Sequence, residues 1–578
     1  MHFRKILLLS LITWIASYHA LAQIDPLFVD FSGTLTQNQQ RILSNNLAIT
    51  STERNKAVVV DANIFEAASL RIELFDGQDI QFDQVVLNAS GTTFKHWVGN
   101  LAGGIGTAAF ILNGDRISGH FSGDFGNYEL YPLDGGVHAF AKLDSEEFLP
   151  CGNEEAENTQ PISPLPEQEK TSNPLKKSAD GTECFIRLIV GYTSSAKNNT
   201  ANNLGRTMNE QIGLAVLESN QGYANSGVES RVELAYSYET DDNETLFSGT
   251  DVNALQSKTD GKWDEIHGFR DDYDADMVCL VAGSYLFVCG QAFGFDYTNE
   301  ANMFQVSVYN CIVGNYTFAH EFGHNQGCRH DNDNTQSPFT YARGLNDGTE
   351  RTIMAVSSSP PRRNHWSNPD INFAGGGPTG AVDRDNARAL DFGDEVVASH
   401  RTTPNVAVIS DLVKDDETRN MVVIDQLTAT NEVEAGGILE LKAQGVVILE
   451  AGFHARNGSE FRAFPIPACT ASYSITNGSL EDRSATTEPV APTDRLSIAP
   501  NPATTFAQIA WAQTSSTLLS IQLQNAYGQT VQQVADHQLF EEGNHRLEMD
   551  VQNLASGLYY LVFYSDQKQW SKPVVVVD

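Results

Sequence analysis

Positive charge is scarce in this sequence. Lys and Arg number 37 against 73 Asp and Glu in 578 residues, for a net charge of −36. Such a surface repels phosphate backbones and anionic membranes, so nucleic acid is excluded as an expected partner. Long apolar runs are scarce too. Ile6–Ala16 follows Arg4 and Lys5 and precedes Ala20-Leu21-Ala22, the layout of a cleavable signal peptide over residues 1–22. Nothing downstream reaches transmembrane length, so no membrane-spanning segment is expected. Cysteine is sparse and odd in number: Cys151, Cys184, Cys279, Cys289, Cys311, Cys328 and Cys469. Seven suit an oxidising compartment but leave at least one without a partner inside the chain, and spacing alone does not give the pairing. Cys311 and Cys328 are too far apart to bridge along one straight helix.

What is present reads as a multidomain α+β chain, too long for one core. Residues 23–151 are β-rich, with short alternating runs such as Ala57–Asp61, Leu70–Leu74 and Tyr128–Leu133 between Gly, Asn and Asp turns. Residues 152–183 turn to Glu, Pro, Ser, Asn and Lys and read as an exposed linker open to cleavage. An α/β domain follows over 184–401. Cys184–Thr193, Arg231–Tyr238 and Asp274–Gly283 are expected strands, while Leu204–Leu217, Thr317–Gln326 and Asp383–Ala398 are expected helices. Residues 405–469 hold short β-like repeats, 470–495 are a Ser/Thr/Pro-rich linker, and 496–578 show the strand pattern of a small β-sandwich.

The chemistry concentrates in HEFGHNQGCRHD, residues 320–331. His320 and His324 are four apart, so a helix presents both imidazoles on one face, one turn apart. Glu321, beside the first, is placed as general base for a metal-activated water. Gly327 permits a sharp turn that returns His330 to the same centre, leaving a fourth position open, as catalytic zinc requires.

This motif resembles that of the metzincin metallopeptidases, and Asp331 after the third His is similar to the adamalysin (reprolysin-like) branch and its secreted bacterial relatives. The resemblance implies a metzincin α/β catalytic domain, one catalytic Zn2+ held by His320, His324 and His330, and peptide-bond hydrolysis with Glu321 as base. It also implies structural roles for Gly327, Asp331 and Met354, the last in RTIMAVS as the Met-turn beneath the metal. The clan builds the wall of its main specificity pocket near residues 365–370. Residues 23–151 resemble a propeptide of this class and end in Cys151-Gly152, similar to a cysteine switch in which a thiol blocks the metal until the linker is cut. The six later cysteines are able to pair among themselves. Loop Asp and Glu leave Ca2+ open, although no EF-hand spacing occurs.

Residues 496–578 resemble the type A C-terminal sorting domain of the type IX secretion system, through LSIAPNPATTFAQIAW, NAYGQTV and NLASGLYYLVFYSDQKQWSKPVVVVD. That implies the secretion machinery as a partner and a secreted or cell-surface product. The expected function is a secreted zinc endopeptidase, made as a zymogen, acting on extracellular proteins or peptides. Two alternatives stand beside it: a narrow-specificity toxin protease, and an inactive surface adhesin.

Overall fold

A computed structural model describes residues 26–152, 185–465 and 497–576, apart from 62–64, 88–90, 295–299, 334–338, 357–358, 399, 402, 500–502, 504, 514–515, 526–529, 542, 553, 556 and 566–568. The expected signal peptide and nearly all of both linkers therefore lie outside the described residues. The chain divides into two compact units, one built from the described residues up to 465 and one from those beyond 497.

The first unit opens with nine antiparallel strands: β1 (Phe28–Asp30), β2 (Thr52–Val60), β3 (Ser69–Glu73), β4 (Asp79–Gln84), β5 (Lys95–Leu101), β6 (Gly106–Asn113), β7 (Arg116–Gly123), β8 (Gly126–Pro132) and β9 (Val137–Leu143). Their order is β1-β2-β9-β8-β7-β6-β5-β4-β3. One helix, α1 (Gln37–Leu47), interrupts them; its Thr36–Gln39 capping box is a start signal that the β-rich reading passed over. The alternation of β6 (Gly106–Asn113) serves two cores at once. Ala108, Phe110 and Leu112 join an aromatic core with Phe82, Phe121, Tyr128 and Phe140. Ala109 and Ile111 point the other way, into the large core shared with the next domain.

That domain is built on β10 (Phe185–Tyr192), β11 (Arg231–Glu239), β12 (Met277–Ala282), β13 (Gly290–Ala292) and β14 (Phe304–Val308). The sheet runs β13-β14-β12-β10-β11, parallel except for β13 at its edge. Parallel neighbours need crossovers. Helices α2 (Ser194–Leu204) and α3 (Met208–Asn225) supply the first, and α4 (Ser248–Gln256) and α5 (Glu265–Asp272) the second. The expected single helix at 204–217 is therefore two. Gly205, at φ 62°, ends α2, and a Thr207–Glu210 capping box starts α3. Every residue of α3 from Met208 to Tyr223 is buried. A helix lies buried all round only when both sides are packed. Here one side meets β11 and the other meets β6 and β7 (Arg116–Gly123) of the N-terminal module.

Residues 405–465 continue this sheet rather than standing apart. Their strands are β15 (Val406–Ile409), β16 (Thr418–Val423), β17 (Gln426–Ala429), β18 (Glu432–Val433), β19 (Ile438–Ala443), β20 (Val446–Leu449), β21 (His454–Ala455) and β22 (Glu460–Pro465). They stack in parallel rows: Val406 beside Gln426 beside Val446, and Thr418 beside Ile438 beside Glu460. The result is a short parallel coil. Its β16 pairs antiparallel with β11 and extends the central sheet by β16-β19-β22.

The second unit holds two antiparallel sheets, of three and four strands, between Ser497 and Val576. They share a core that includes Ile509, Trp511, Leu519, Ile521, Leu561, Phe563 and Val574.

Candidate metal centre

Helix α6 (Thr317–Asn325) carries the motif, and every one of its residues is buried. Gly323 lets it sit so deep. A Cβ there would lie 2.7 Å from the Trp366 ring and 2.8 Å from Met354 Sδ. Past the helix, Gly327 adopts φ 104°, a conformation that favours glycine, and Cys328 N–H donates back to Gly323 O at 2.8 Å. The chain then returns His330 to the helix face. Its Nε2 lies 3.2 Å from His320 Nε2 and 3.0 Å from His324 Nε2.

The other ring nitrogens explain this convergence. His320 Nδ1 lies 2.8 Å from Ile353 O, and His324 Nδ1 lies 3.1 Å from Cys328 O. A carbonyl accepts only, so each Nδ1 carries the proton and each Nε2 turns a lone pair toward the centre. Burial pushes His330 down to about 4 and holds His320 and His324 well below their usual value, so the rings are neutral, as ligation requires. Lone pairs aimed at one another at this distance need a cation between them. With Cys151 Sγ the set is three nitrogens and a sulfur, all within 4.8 Å, which suits zinc. Among the described residues this is the one cluster of three or more metal-binding side chains.

Glu321 Oε1 is buried with no hydrogen-bond partner, and burial pushes the carboxyl up to about 8. Gly290 of β13 makes room for it, since a Cβ there would come within 2.9 Å of Oε1. Met354 is fully buried and follows Ile353, whose carbonyl fixes His320. Asp331 Oδ1 accepts from Val356 N–H at 3.0 Å, tying the turn after the third His to the segment after Met354.

A scan against protein families matches residues 183–367 to the metallopeptidase family M12 model, of the reprolysin type, and residues 497–577 to a secretion system C-terminal sorting domain. A peptidyl-Asp metalloendopeptidase of Xanthomonas campestris is 33% identical over 380 residues, 62% of this chain and 88% of that protein. One from Stenotrophomonas maltophilia is 32% identical over 411 residues, 67% of this chain and 96% of that one. A third, from Pseudomonas fragi, is 32% identical over 190 residues, 32% of this chain and all of that one. The chain belongs to this family of metzincin-type metalloendopeptidases. It is accordingly a zinc-dependent endopeptidase, and its sorting domain marks it as secreted or held at the cell surface through type IX secretion. No helix among the described residues is long and apolar enough to cross a membrane.

The endopeptidase holds its N-terminal module at the metal centre. Cys289 N–H donates to Pro150 O at 2.8 Å, and Cys151 forms a parallel bridge with Gly290 on the sheet edge. Cys151 Sγ lies 3.7 Å from His324 Nε2 and 3.6 Å from Glu321 Oε2.

The expectation that all six later cysteines are available to pair is corrected. Cys289 and Cys311 form a disulfide that ties β13 to the loop before α6, but Cys279 and Cys328 are free thiols buried in the core. Cys328 Sγ lies 3.9 Å from Asn386 O, and burial raises both thiols well above their usual value. Cys184 and Cys469 lie outside the described residues. In the expected wall segment, Trp366 stacks on Tyr223 behind α6, and His365 packs against Phe373. Sequence reading passed over Gly290, on which Glu321 depends, because nothing local distinguishes a glycine on that edge.

Proposed function

We propose that this endopeptidase cleaves extracellular proteins beside aspartate, as the names of its relatives say of them, and is made as a zymogen. The reading assigns residues 1–22 as signal peptide, 23–151 as propeptide, 152–183 as the linker cut on activation, 184–401 as catalytic domain, and 496–578 as a β-sandwich sorting domain. His320, His324 and His330 hold the metal. The observation that carries this is the convergence of three Nε2 atoms, two of them on rings whose Nδ1 is fixed by a backbone carbonyl.

When bound, zinc supplies Lewis acidity toward a water and the scissile carbonyl. The protein does the rest. Glu321, buried and with one oxygen unpartnered, takes a proton from the attacking water and hands it to the leaving amine. Edge strand β13 offers backbone groups to an extended chain, which Pro150–Cys151 now uses and a substrate would use after activation. Met354 floors the site beneath His320, and Asp331 and Gly327 fix the turn that delivers His330. Cys151 is the latency switch, its thiol standing in the position that water and substrate need.

The test uses the full chain, cut in the linker and freed of its N-terminal module. Glu321→Ala is expected to lower peptide hydrolysis by about 1,000-fold, within the range for a lost general base. It should keep bound zinc, measured by metal analysis. Hydrolysis surviving in Glu321→Ala, or in wild type stripped of metal, would overturn the assignment.

A further inference from the structure

A site that selects aspartate needs a cation beside the scissile bond, and four arginines of the motif and Met354 segments are candidates: Arg329, Arg351, Arg362 and Arg363. Arg363 is already held by Glu350 and Asp124. Arg351 has another arginine, Arg362, as its strongest charged neighbour. Arg329 packs against Gly294, and the acidic group acting on it most is Asp333. Arg362 differs from all three. It is 8% exposed, its Nε donates to Ala355 O at 3.1 Å, and its Nη1 donates to Asn315 O at 2.9 Å. Among the described residues it forms an ion pair with no carboxylate.

Those two carbonyls locate the guanidinium. Ala355 directly follows Met354 under the metal, and Asn315 directly precedes the Tyr316–Thr317 start of α6. Arg362 thus spans one flank of the cleft, from the segment below the histidines to the foot of the helix that bears Glu321. A buried guanidinium held only by neutral carbonyls is poorly compensated and gains strongly from a carboxylate. Its charge interacts with Cys151 and Glu321, on the side of the centre that the N-terminal segment now fills.

We propose that Arg362 is the specificity-determining residue of this endopeptidase, receiving the carboxylate of the aspartate beside the scissile bond. The proposal rests on the reading that the enzyme cleaves at aspartate. In the latent chain the Cys151 thiol stands beside this guanidinium; in the active enzyme the carboxylate of the substrate takes that place. Arginine suits the task because its planar fork matches both carboxylate oxygens. An uncharged asparagine side chain, almost the same shape, leaves the charge unanswered.

The experiment measures kcat/KM on two peptides differing only in Asp or Asn at the recognised position, with the linker-cut full chain freed of its module. Wild type, Arg362→Gln, Arg362→Lys and Arg329→Gln are compared. The Asp-to-Asn ratio within one variant is independent of how much of it is folded. Arg362→Gln is expected to lower that ratio by at least about 30-fold. Arg362→Lys should keep part of it, and Arg329→Gln should leave it unchanged. A wild-type preference that survives Arg362→Gln, or collapses instead in Arg329→Gln, overturns Arg362 while the aspartate reading stands. A wild type with no preference for Asp overturns that reading itself, and the proposal with it.

Discussion

The two edges of the catalytic sheet are both covered, and the covers are of opposite kinds. On β13 the N-terminal module makes one backbone hydrogen bond, one bridge, and the approach of Cys151 to the metal centre. On β11 the parallel coil is bound through many groups. β16 pairs at Tyr236–Arg419 and Ser237–Thr418. Asp416 accepts from the N–H groups of Met208 and Asn209 in the first turn of α3, at 3.1 and 2.9 Å. Arg187 donates to Asn420 O, and Glu233 pairs with both Arg187 and Lys442. An edge strand invites pairing wherever it is exposed. At β13 itself the cover is sparse, although elsewhere the same module is joined to the catalytic domain by the buried pairs His120–Glu218 and Glu129–Arg206; at β11 the edge itself is closed with buried charges and a helix cap. The contrast between the two edges is therefore one of a sparse seam against a dense one.

Deleting the coil has the largest expected effect. A chain ending at residue 401 loses the partner of β11, the acceptor for the start of α3, and the Lys442 counter-charge of Glu233. It should show no cooperative thermal transition by circular dichroism, with or without the N-terminal module. A well-folded product melting like the parent would mean the coil is an accessory.

The sparse seam gives a smaller, functional effect. Cys151→Ser in the uncut chain should raise basal hydrolysis at least tenfold, the factor that corresponds to losing about 1.4 kcal/mol of docking. The same change should leave the cut and separated enzyme unaffected. Unaltered latency would show that the strand pairing and the α3 contact hold the module without help from the thiol.

Smallest is the effect of pH on the module. His120 of β7 lies between Glu218 of α3, to which it makes a short contact, and Asn127. Burial works against its charge, but the charge and hydrogen bond of Glu218 outweigh this and raise it. A docked value above the free one, about 6.5, makes the contribution full below that pH and lost as pH rises through the raised value. After the linker is cut, the module should therefore dissociate more readily at about pH 9 than at about pH 6 by gel filtration. His120→Gln should flatten the difference. The pairs β11 makes with β16 contain no histidine, so that seam should not respond over the same range.

How far the amino-acid sequence could be read divides in the same way, between local and distant. The histidine cluster was legible because a helix and one glycine bring His320, His324 and His330 together within eleven residues. Strand alternation exposed the β-rich ends, and the expected strand at Arg231–Tyr238 appears as Arg231–Glu239. The α2–α3 break was legible in principle, since Gly205 and the Thr207–Glu210 box are local signals that a periodicity count overran. Other features were out of reach. That residues 405–465 close the central sheet depends on Thr418 meeting Ser237, 181 positions away. The Cys289–Cys311 pairing and the place of Gly290 over Glu321 likewise depend on chain that is remote until folded.

Strand β6 of the N-terminal sheet gives Ala109 and Ile111 to the same core as α3, and Gln221 of that helix donates to Gly99 O and Ala108 O. The N-terminal module is thus a wall of the catalytic domain. If activation removes it, as proposed, a helix that was interior becomes a surface, with apolar and amide groups facing water. On that reading, turning the enzyme on and starting its decay are one event, and the working life of the protease is set at the moment it is released.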